Sequence, residues 1–403
     1  MSREKENKAQ AEQSVQQAQG DQQAQGELAQ NVQQAQRIVV KIGTSTLTDE
    51  AGRVNAAYIE SLASQVAQLC KQGTEVAIVS SGAITAGLEA LNLPPARPDD
   101  IPTLQAAAAV GQVELAKHYA HAFEAQKLKT AQVLLTRNDI ANREAYLHAR
   151  DTLSRLLELG VVAIINENDT VAVEEIRFGD NDTLAAQVAI LIGADLVILL
   201  SDIDGLYTAD PRTEKDAELI EHIASFTEEI VAAAGSAGSH KGSGGMVTKL
   251  EAARQLMAAG IPMVICEGRL EGVVAEVASG ALVGTRFASE QPAQAKARKL
   301  WNALSGSVKG SVIVDEGATC ALREQGSSLL PVGVTKVDGS FAQGDVLDIR
   351  SASGFLIGRG ISQHDAATLE QMAGHTSEEL SNLALIGDAE RCEVIHRDEM
   401  VIF

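Results

Sequence analysis

Gly179-Asp180-Asn181-Asp182-Thr183-Leu184-Ala185-Ala186 is the stretch that decides the fold. It follows a short extended segment, Val171–Phe178, and opens an apolar run from Leu184 to Ile192 with the spacing of a buried helix. Three acid or amide side chains stand together at that helix start. One is enough to cap a helix, by accepting the free N–H groups of its first turn. Three behind a glycine point past capping to a binding site. A second polar cluster, Asn166-Glu167-Asn168-Asp169, follows the apolar strand Val161–Ile165. Open α/β sheets bind ligands at the carboxyl ends of their strands, which is where such clusters fall.

The rest of the chain sets the frame. At 403 residues it is long enough for two domains, and an apolar fraction of 45% with only 3% aromatic residues suits an Ala/Val/Ile/Leu-rich α/β core. A formal charge of −21 disfavours nucleic acid or an anionic membrane as the main partner and makes a local group of lysines more telling. Cys70, Cys266, Cys320 and Cys392 are far apart with no CxxC spacing, as expected of free thiols in a reducing cytosol. No run reaches the ~18 apolar residues of a membrane span. Residues 1–36 are mostly Gln, Ala and charged side chains, without the apolar core of a signal peptide and too acidic for an organellar transit sequence. They read as a disordered tail or marginal helix on a cytoplasmic protein.

In chain order, Arg37–Ile42 surrounds Lys41 with β-forming apolar residues and breaks at Gly43 into Thr44-Ser45-Thr46. A lysine in such a run lies on an edge strand in solvent, or points from the strand end into a site. Ile59 to Cys70 is spaced as a helix ended by Gly73, and the strand Val76–Val79 runs into Ser80-Ser81-Gly82-Ala83 ahead of another helix. Strand, Ser/Gly turn and helix can receive an anion on backbone N–H groups, although many such turns use Ser and Gly only for shape. A long Ala-rich helix (Leu104–Gln126), a strand (Gln132–Thr136) and a helix (Glu144–Leu159) come next. Leu196–Leu200 is a further buried strand, ending in Ser201-Asp202. The Gly/Ser loop Gly235–Gly245 leads through Met246-Val247-Thr248-Lys249 into a helix reaching about Ala259. It lacks the Walker A order, but glycines followed by Thr and Lys on a first helical turn suit phosphate oxygens; an ordinary helix with a solvated lysine is the alternative. Pro262–Cys266 is expected to be the last strand of this unit. The β/α alternation predicts a mostly parallel sheet with helices on both faces. The expected boundaries are a tail at 1–36, an α/β domain at 37–287, a linker at 288–306 and a small β-rich domain at 307–403. This last part carries more than twice as many carboxylates as basic side chains, which argues against RNA binding.

No His/Cys metal cluster or Ser-His-Asp pattern stands out in the sequence. A hydroxyl acceptor of a phosphoryl group generally wants a base, whereas a carboxylate, with a pKa of about 4.3, is already ionised. Its obstacle is the approach of one anion to another. Lysines, Mg²⁺ and helix-start N–H groups relieve that repulsion, and Asp side chains orient the lysines.

Six segments, in order, resemble the bacterial glutamate 5-kinase family: Val39–Ser45, Ser80–Ile84, Ile165–Asp169, Gly179–Asp182, Gly205–Arg212 and Gly244–Lys249. The C-terminal segments Val314–Ala318 and Gly326–Pro331 look like that family's appended PUA domain. The resemblance covers about residues 37–400 and leaves out the Gln-rich tail. It implies a three-layer αβα sandwich, the amino acid kinase fold, making L-glutamyl 5-phosphate from ATP and L-glutamate as the first step towards proline. Carried over by position, Lys41 and Lys249 neutralise the transferring phosphoryl group and Asp182 holds them. Ser81, Asp169 and Asn181 bind glutamate, with Asp169 opposite the α-ammonium. Lys41, Ser201, Asp202 and the segment Ser243, Gly244, Gly245, Met246, Val247, Thr248, Lys249 line the ATP site. Ser80 and Ser201 stand where many members have Thr. Feedback inhibition by proline and a homo-oligomer (dimer or tetramer) are also implied. Two other readings stay open: a related kinase acting on aspartate, acetylglutamate, carbamate or UMP, and an RNA-binding protein working through the PUA-like part.

Overall fold

The computed structural model describes residues 32–49, 51–94, 100–172, 181–236, 245–289, 306, 308–382 and 392–403. The expected linker helix, most of the N-terminal tail and most of the extended segment before Gly179 lie outside these residues. Val171, at the start of that segment, sits in a turn.

The first unit holds the strands β1 (Arg37–Ile42), β2 (Glu75–Ser80), β3 (Lys129–Leu135), β4 (Val161–Glu167), β5 (Leu196–Ser201), β6 (His222–Ile223), β7 (Met263–Glu267) and β8 (Thr285–Phe287). They form one sheet in the order β3-β4-β2-β1-β5-β7-β8-β6. The six from β3 to β7 run parallel, as expected. Pro262–Cys266 is not the last strand: β8 pairs antiparallel with β7, and β6 lies alongside β8. These two strands have three and two residues, too short to carry a readable alternation.

Alternation along the central strands builds the layers. Val39, Val79, Ile165, Val197 and Ile265 face one side, and Ile38, Val40, Ile78, Ile164, Ile198 and Val264 face the other. The first face is covered by α6 (Arg143–Glu158), α7 (Asn181–Ile192) and α9 (Met246–Ala258). The second is covered by α2 (Ala56–Lys71), α3 (Ala83–Ala90), α4 (Ile101–Ala125) and α10 (Val273–Ala278). Val32 belongs to this second core, so structure begins upstream of β1. The short helices α1 (Thr44–Leu47), α5 (Arg137–Ala141) and α8 (Glu228–Ser236) complete the unit. The result is a three-layer αβα sandwich.

From β1 the chain fills the sheet first on one side, through β2, β4 and β3, and then on the other, through β5 and β7. The order therefore reverses at β1, and the crevice beyond the carboxyl ends of β2, β1 and β5 is the topological switch point where such sheets bind ligands. Strands β2, β4 and β5 continue past their apolar runs into Ser80, Glu167 and Ser201, so the polar residues are held by the ladder itself.

The second unit contains β9 (Val308–Val314), α11 (Glu316–Gln325), β10 (Val334–Gly339), β11 (Val346–Arg350), β12 (Leu356–Ile361), α12 (Ala366–Met372), α13 (Ser377–Asn382) and β13 (Met400–Ile402). Its sheet runs β10-β9-β11-β12-β13 around a separate core that includes Val312, Leu347, Ile349 and Ile357. The two units meet along α9. Arg254 of α9 donates to Leu356 O at 3.3 Å and lies over the rings of Phe226 and Phe355. Arg359 of β12 bonds Glu251 of α9 at 3.0 Å and Asp348 at 2.8 Å. Val401 packs against Ile190, Ala258 and Ala259.

Candidate active site

Lys41 has the same parity in β1 as Val39, so its side chain lies on the α7 side of the sheet. There it forms an ion pair with Asp182, in the first turn of α7. Lys249, in the first turns of α9, reaches the other carboxylate oxygen of Asp182 at 3.1 Å. Thr248 Oγ1 lies 3.2 Å from that same oxygen and 2.8 Å from Gly245 O, and its one proton serves the two. Asp182 is fully buried and both lysines are 6% exposed. One buried carboxylate thus holds two ammonium groups side by side at the switch point.

A buried charge is stable only when paired and bonded. Burial alone would raise the Asp182 carboxyl, but Lys41 and Lys249 override it and hold the group well below the usual carboxylate range. An unfolded Asp takes its proton near about pH 3.9, and the folded one only at lower pH. Ionised Asp182 therefore contributes stability above about pH 4 that is lost as pH falls toward the folded value. Asp182→Asn keeps an acceptor oxygen but no charge, and is expected to lower stability at neutral pH by about 1.5 kcal/mol or somewhat more. The gap from wild type should narrow below about pH 4. Urea denaturation across that range measures it, and a gap independent of pH would overturn the ionic account.

The second cluster is centred on Asn181. Its Nδ2 donates to Ser80 O at 2.7 Å, Asn166 Oδ1 at 2.8 Å and Ser81 Oγ at 3.1 Å. The start of α7 is thereby tied to the ends of β2 and β4. Asn181 and Asp182 thus bond groups far along the chain and do more than cap their own helix. Gly82, which starts α3, has φ +88°, a left-handed conformation that an L side chain adopts only with strain, and a Cβ there would meet Leu47 at 3.0 Å.

Asp169, half-buried, follows β4 in a turn. Ser201 ends β5 with its Oγ donating to the exposed Asp202 at 3.2 Å. The loop after β1 is joined to β5 by Gly43 N donating to Leu200 O at 3.3 Å. Gly245 precedes α9 without a side-chain cap, followed by Met246 and the exposed Val247. The first-turn N–H groups of α9 lie beside Lys249, an arrangement suited to phosphate oxygens. Ser243 and Gly244 lie outside the described residues. The structure therefore brings together Lys41, Asp182, Thr248 and Lys249 in one cluster, and Ser81 and Asn181 in another, with Asp169, Ser201 and Asp202 on the same edge of the sheet. Asn166 has a part that its sequence neighbours did not reveal. It is 4% exposed and bonds Asn181, and the available signal was an amide continuing a buried apolar strand.

No group of three or more His, Cys, Asp or Glu side chains among the described residues could hold a metal ion. Asp182 is engaged by lysines.

An αβα sandwich with paired lysines over its switch point has the working parts of a kinase. The chain matches the model of the amino acid kinase family over residues 36–267, more than half its length, and belongs to that family. Residues 310–383 match the PUA domain model. Proteins named Glutamate 5-kinase from Geobacter sp. (strain M21) and Caldanaerobacter subterraneus subsp. tengcongensis are each 44% identical to it. The alignments cover 92% and 91% of this chain and 98% and 97% of those proteins. The solved structure of UMP kinase from Bacillus anthracis is 18% identical, covering 64% of this chain and 97% of that one at a TM-score of 0.44.

Proposed function

We infer that the protein transfers the γ-phosphoryl group of ATP to the γ-carboxylate of L-glutamate, forming L-glutamyl 5-phosphate and ADP, the first step of proline biosynthesis. The observation that carries this reading is the buried Lys41–Asp182–Lys249 cluster at the switch point. A carboxylate oxygen attacks the γ-phosphorus while the bond to the β-phosphate bridge oxygen breaks, and no proton has to be removed from the nucleophile. The difficulty is charge, and two preorganised ammonium groups address it where water is largely excluded. Asp182 fixes their positions without neutralising both. Ser81, Asn181 and Asp169 bind glutamate on the β2/β4 side. Ser201, Asp202 and the segment 243–249 bind the nucleotide on the β5/α9 side.

The same reading takes the nucleotide as MgATP, the ion bridging its phosphate oxygens. It extends to a cytoplasmic homo-oligomer whose first committed product is controlled by proline. The excess of carboxylates in the second unit speaks against RNA as its partner.

Coupled ADP release with a panel of acceptors tests the reading. Glutamate is expected to support turnover at least about tenfold better in kcat/KM than aspartate, acetylglutamate, carbamate or UMP. A tenfold preference requires only about 1.4 kcal/mol of differential transition-state binding. Turnover with one of the other acceptors and not with glutamate would replace the substrate while leaving the kinase chemistry in place.

A further inference from the structure

On the face of the sheet opposite α7, helix α4 carries a buried stripe: Ala108, Gln112, Leu115, Tyr119 and Ala122. Steps of three and four residues place them on one side of the helix. Gln112 and Tyr119 are the polar members, and each bonds the end of a different strand at the candidate site. The Tyr119 hydroxyl is 2.9 Å from Ser80 Oγ, and Ser80 Oγ donates to Ser81 O at 3.1 Å. A Ser80 hydroxyl that gives its own proton to Ser81 O can only accept from Tyr119, so the phenol is the donor. Burial pushes the Tyr119 phenol up, which keeps that proton in place at working pH. Gln112 Nε2 donates to Glu167 O at 3.2 Å, and Gln112 Oε1 accepts from Gln132 Nε2 of β3 at 3.2 Å.

The helix bearing these groups is itself fixed. A Cβ on Gly111 would come within 1.7 Å of Ala83 O, and one on Gly87 within 1.7 Å of Ala107 O. The backbones of α3 and α4 thus touch directly, and Ala83 is the first residue of the helix that follows Ser81 and Gly82. A phenylalanine would fill the volume of Tyr119 equally well. Among the described residues the hydroxyl's hydrogen-bond partner is Ser80, in the turn carrying Ser81.

We propose that Tyr119 is a positioning residue for the amino-acid substrate, acting through Ser80 to hold the Ser80–Gly82 turn. That turn supplies Ser81 Oγ and the Ser80 carbonyl that receives the Asn181 amide. Gln112 does the same for the end of β4 that leads to Asp169. The proposal rests on the reading of Ser81, Asn181 and Asp169 as glutamate ligands, and it concerns glutamate and not ATP, because neither braced turn belongs to the β5/α9 side.

The test is steady-state kinetics of Tyr119→Phe, Ser80→Ala and the double variant, with thermal melting of each. Tyr119→Phe is expected to raise KM for glutamate by about 3–10-fold, the equivalent of one buried hydrogen bond. KM for ATP should stay within about twofold of wild type. In the Ser80→Ala background the same change should add almost nothing, because its partner is gone. A residue with only a packing role would lower the melting temperature without separating the two KM values. An equal rise in both KM values, an unchanged KM for glutamate, or additive effects in the double variant would overturn the brace. Wild-type turnover with another acceptor and not with glutamate would overturn the substrate reading instead, and with it the brace as a glutamate device.

Discussion

Lys249→Ala is expected to lower kcat by roughly 10²–10³-fold or more, the scale of losing one preorganised electrostatic donor, while KM for glutamate stays near wild type. The Lys249 ammonium sits 3.1 Å from Asp182, which is also paired with Lys41. Removing it takes one of the two preorganised ammonium groups away from the switch point. That charge acts on the electron density moving to the equatorial and bridging oxygens during transfer. On the proposed assignment, glutamate in its ground state is held by other groups, on the β2/β4 side. An interaction strengthened in the transition state appears in kcat and not in substrate affinity. Rapid-mix single-turnover kinetics with saturating ATP and glutamate measures the chemical step itself. Near-normal turnover would mean that Lys249 is a structural partner of Asp182 and that the phosphoryl group is neutralised elsewhere.

The sheet was legible because its central strands are buried on both sides and write continuous apolar runs into the chain. Strands β1, β2, β4 and β5 all fall on such runs, β1 with the same bounds and the other three extended by one or two polar residues. Strands β6 and β8, with two and three residues, leave no such mark, and β10 and β13 of the second unit are similarly short or mostly exposed. In the site, residue types could be read but pairings could not. Lys41, Asp182 and Lys249 are separated by more than sixty positions at each step, and only the parallel sheet puts their elements side by side. Lys41 could equally have stood on a solvated edge until β1 proved to lie between β2 and β5. The sequence marked α4 only as a long Ala-rich helix and gave no reason for Gln112 and Tyr119 on its buried face, because their partners lie in turns after distant strands. The contact of α9 with the second unit was also hidden. Glu251 and Arg254 look like ordinary surface charges in sequence, and they are claimed by Arg359 and by the Leu356 carbonyl.

Asp169→Asn is expected to do the reverse of Lys249→Ala. Asp169 stands in the turn beyond β4, a strand that pairs with β2 and not with β1. A glutamate whose γ-carboxylate is directed at the γ-phosphoryl group must direct its α-ammonium to the far end of its pocket, and a carboxylate is the natural partner there. Asparagine preserves shape and one acceptor oxygen but removes the charge. Loss of a charge-assisted bond costs on the order of 1.5–3 kcal/mol, or roughly a 10–150-fold rise in KM for glutamate. KM for ATP should be nearly unchanged, since the residues proposed for the nucleotide belong to β5 and α9. Some fall in kcat is compatible, because binding energy far from the reacting atoms also serves to position them. The sharper readout is a substrate lacking the α-ammonium: glutarate should be a poor acceptor for the wild-type enzyme and should lose almost nothing further in the Asp169→Asn variant. A variant that weakens ATP and not glutamate, or that penalises glutarate as much as glutamate, would place the α-ammonium on another residue and reverse the assignment of the two strand ends.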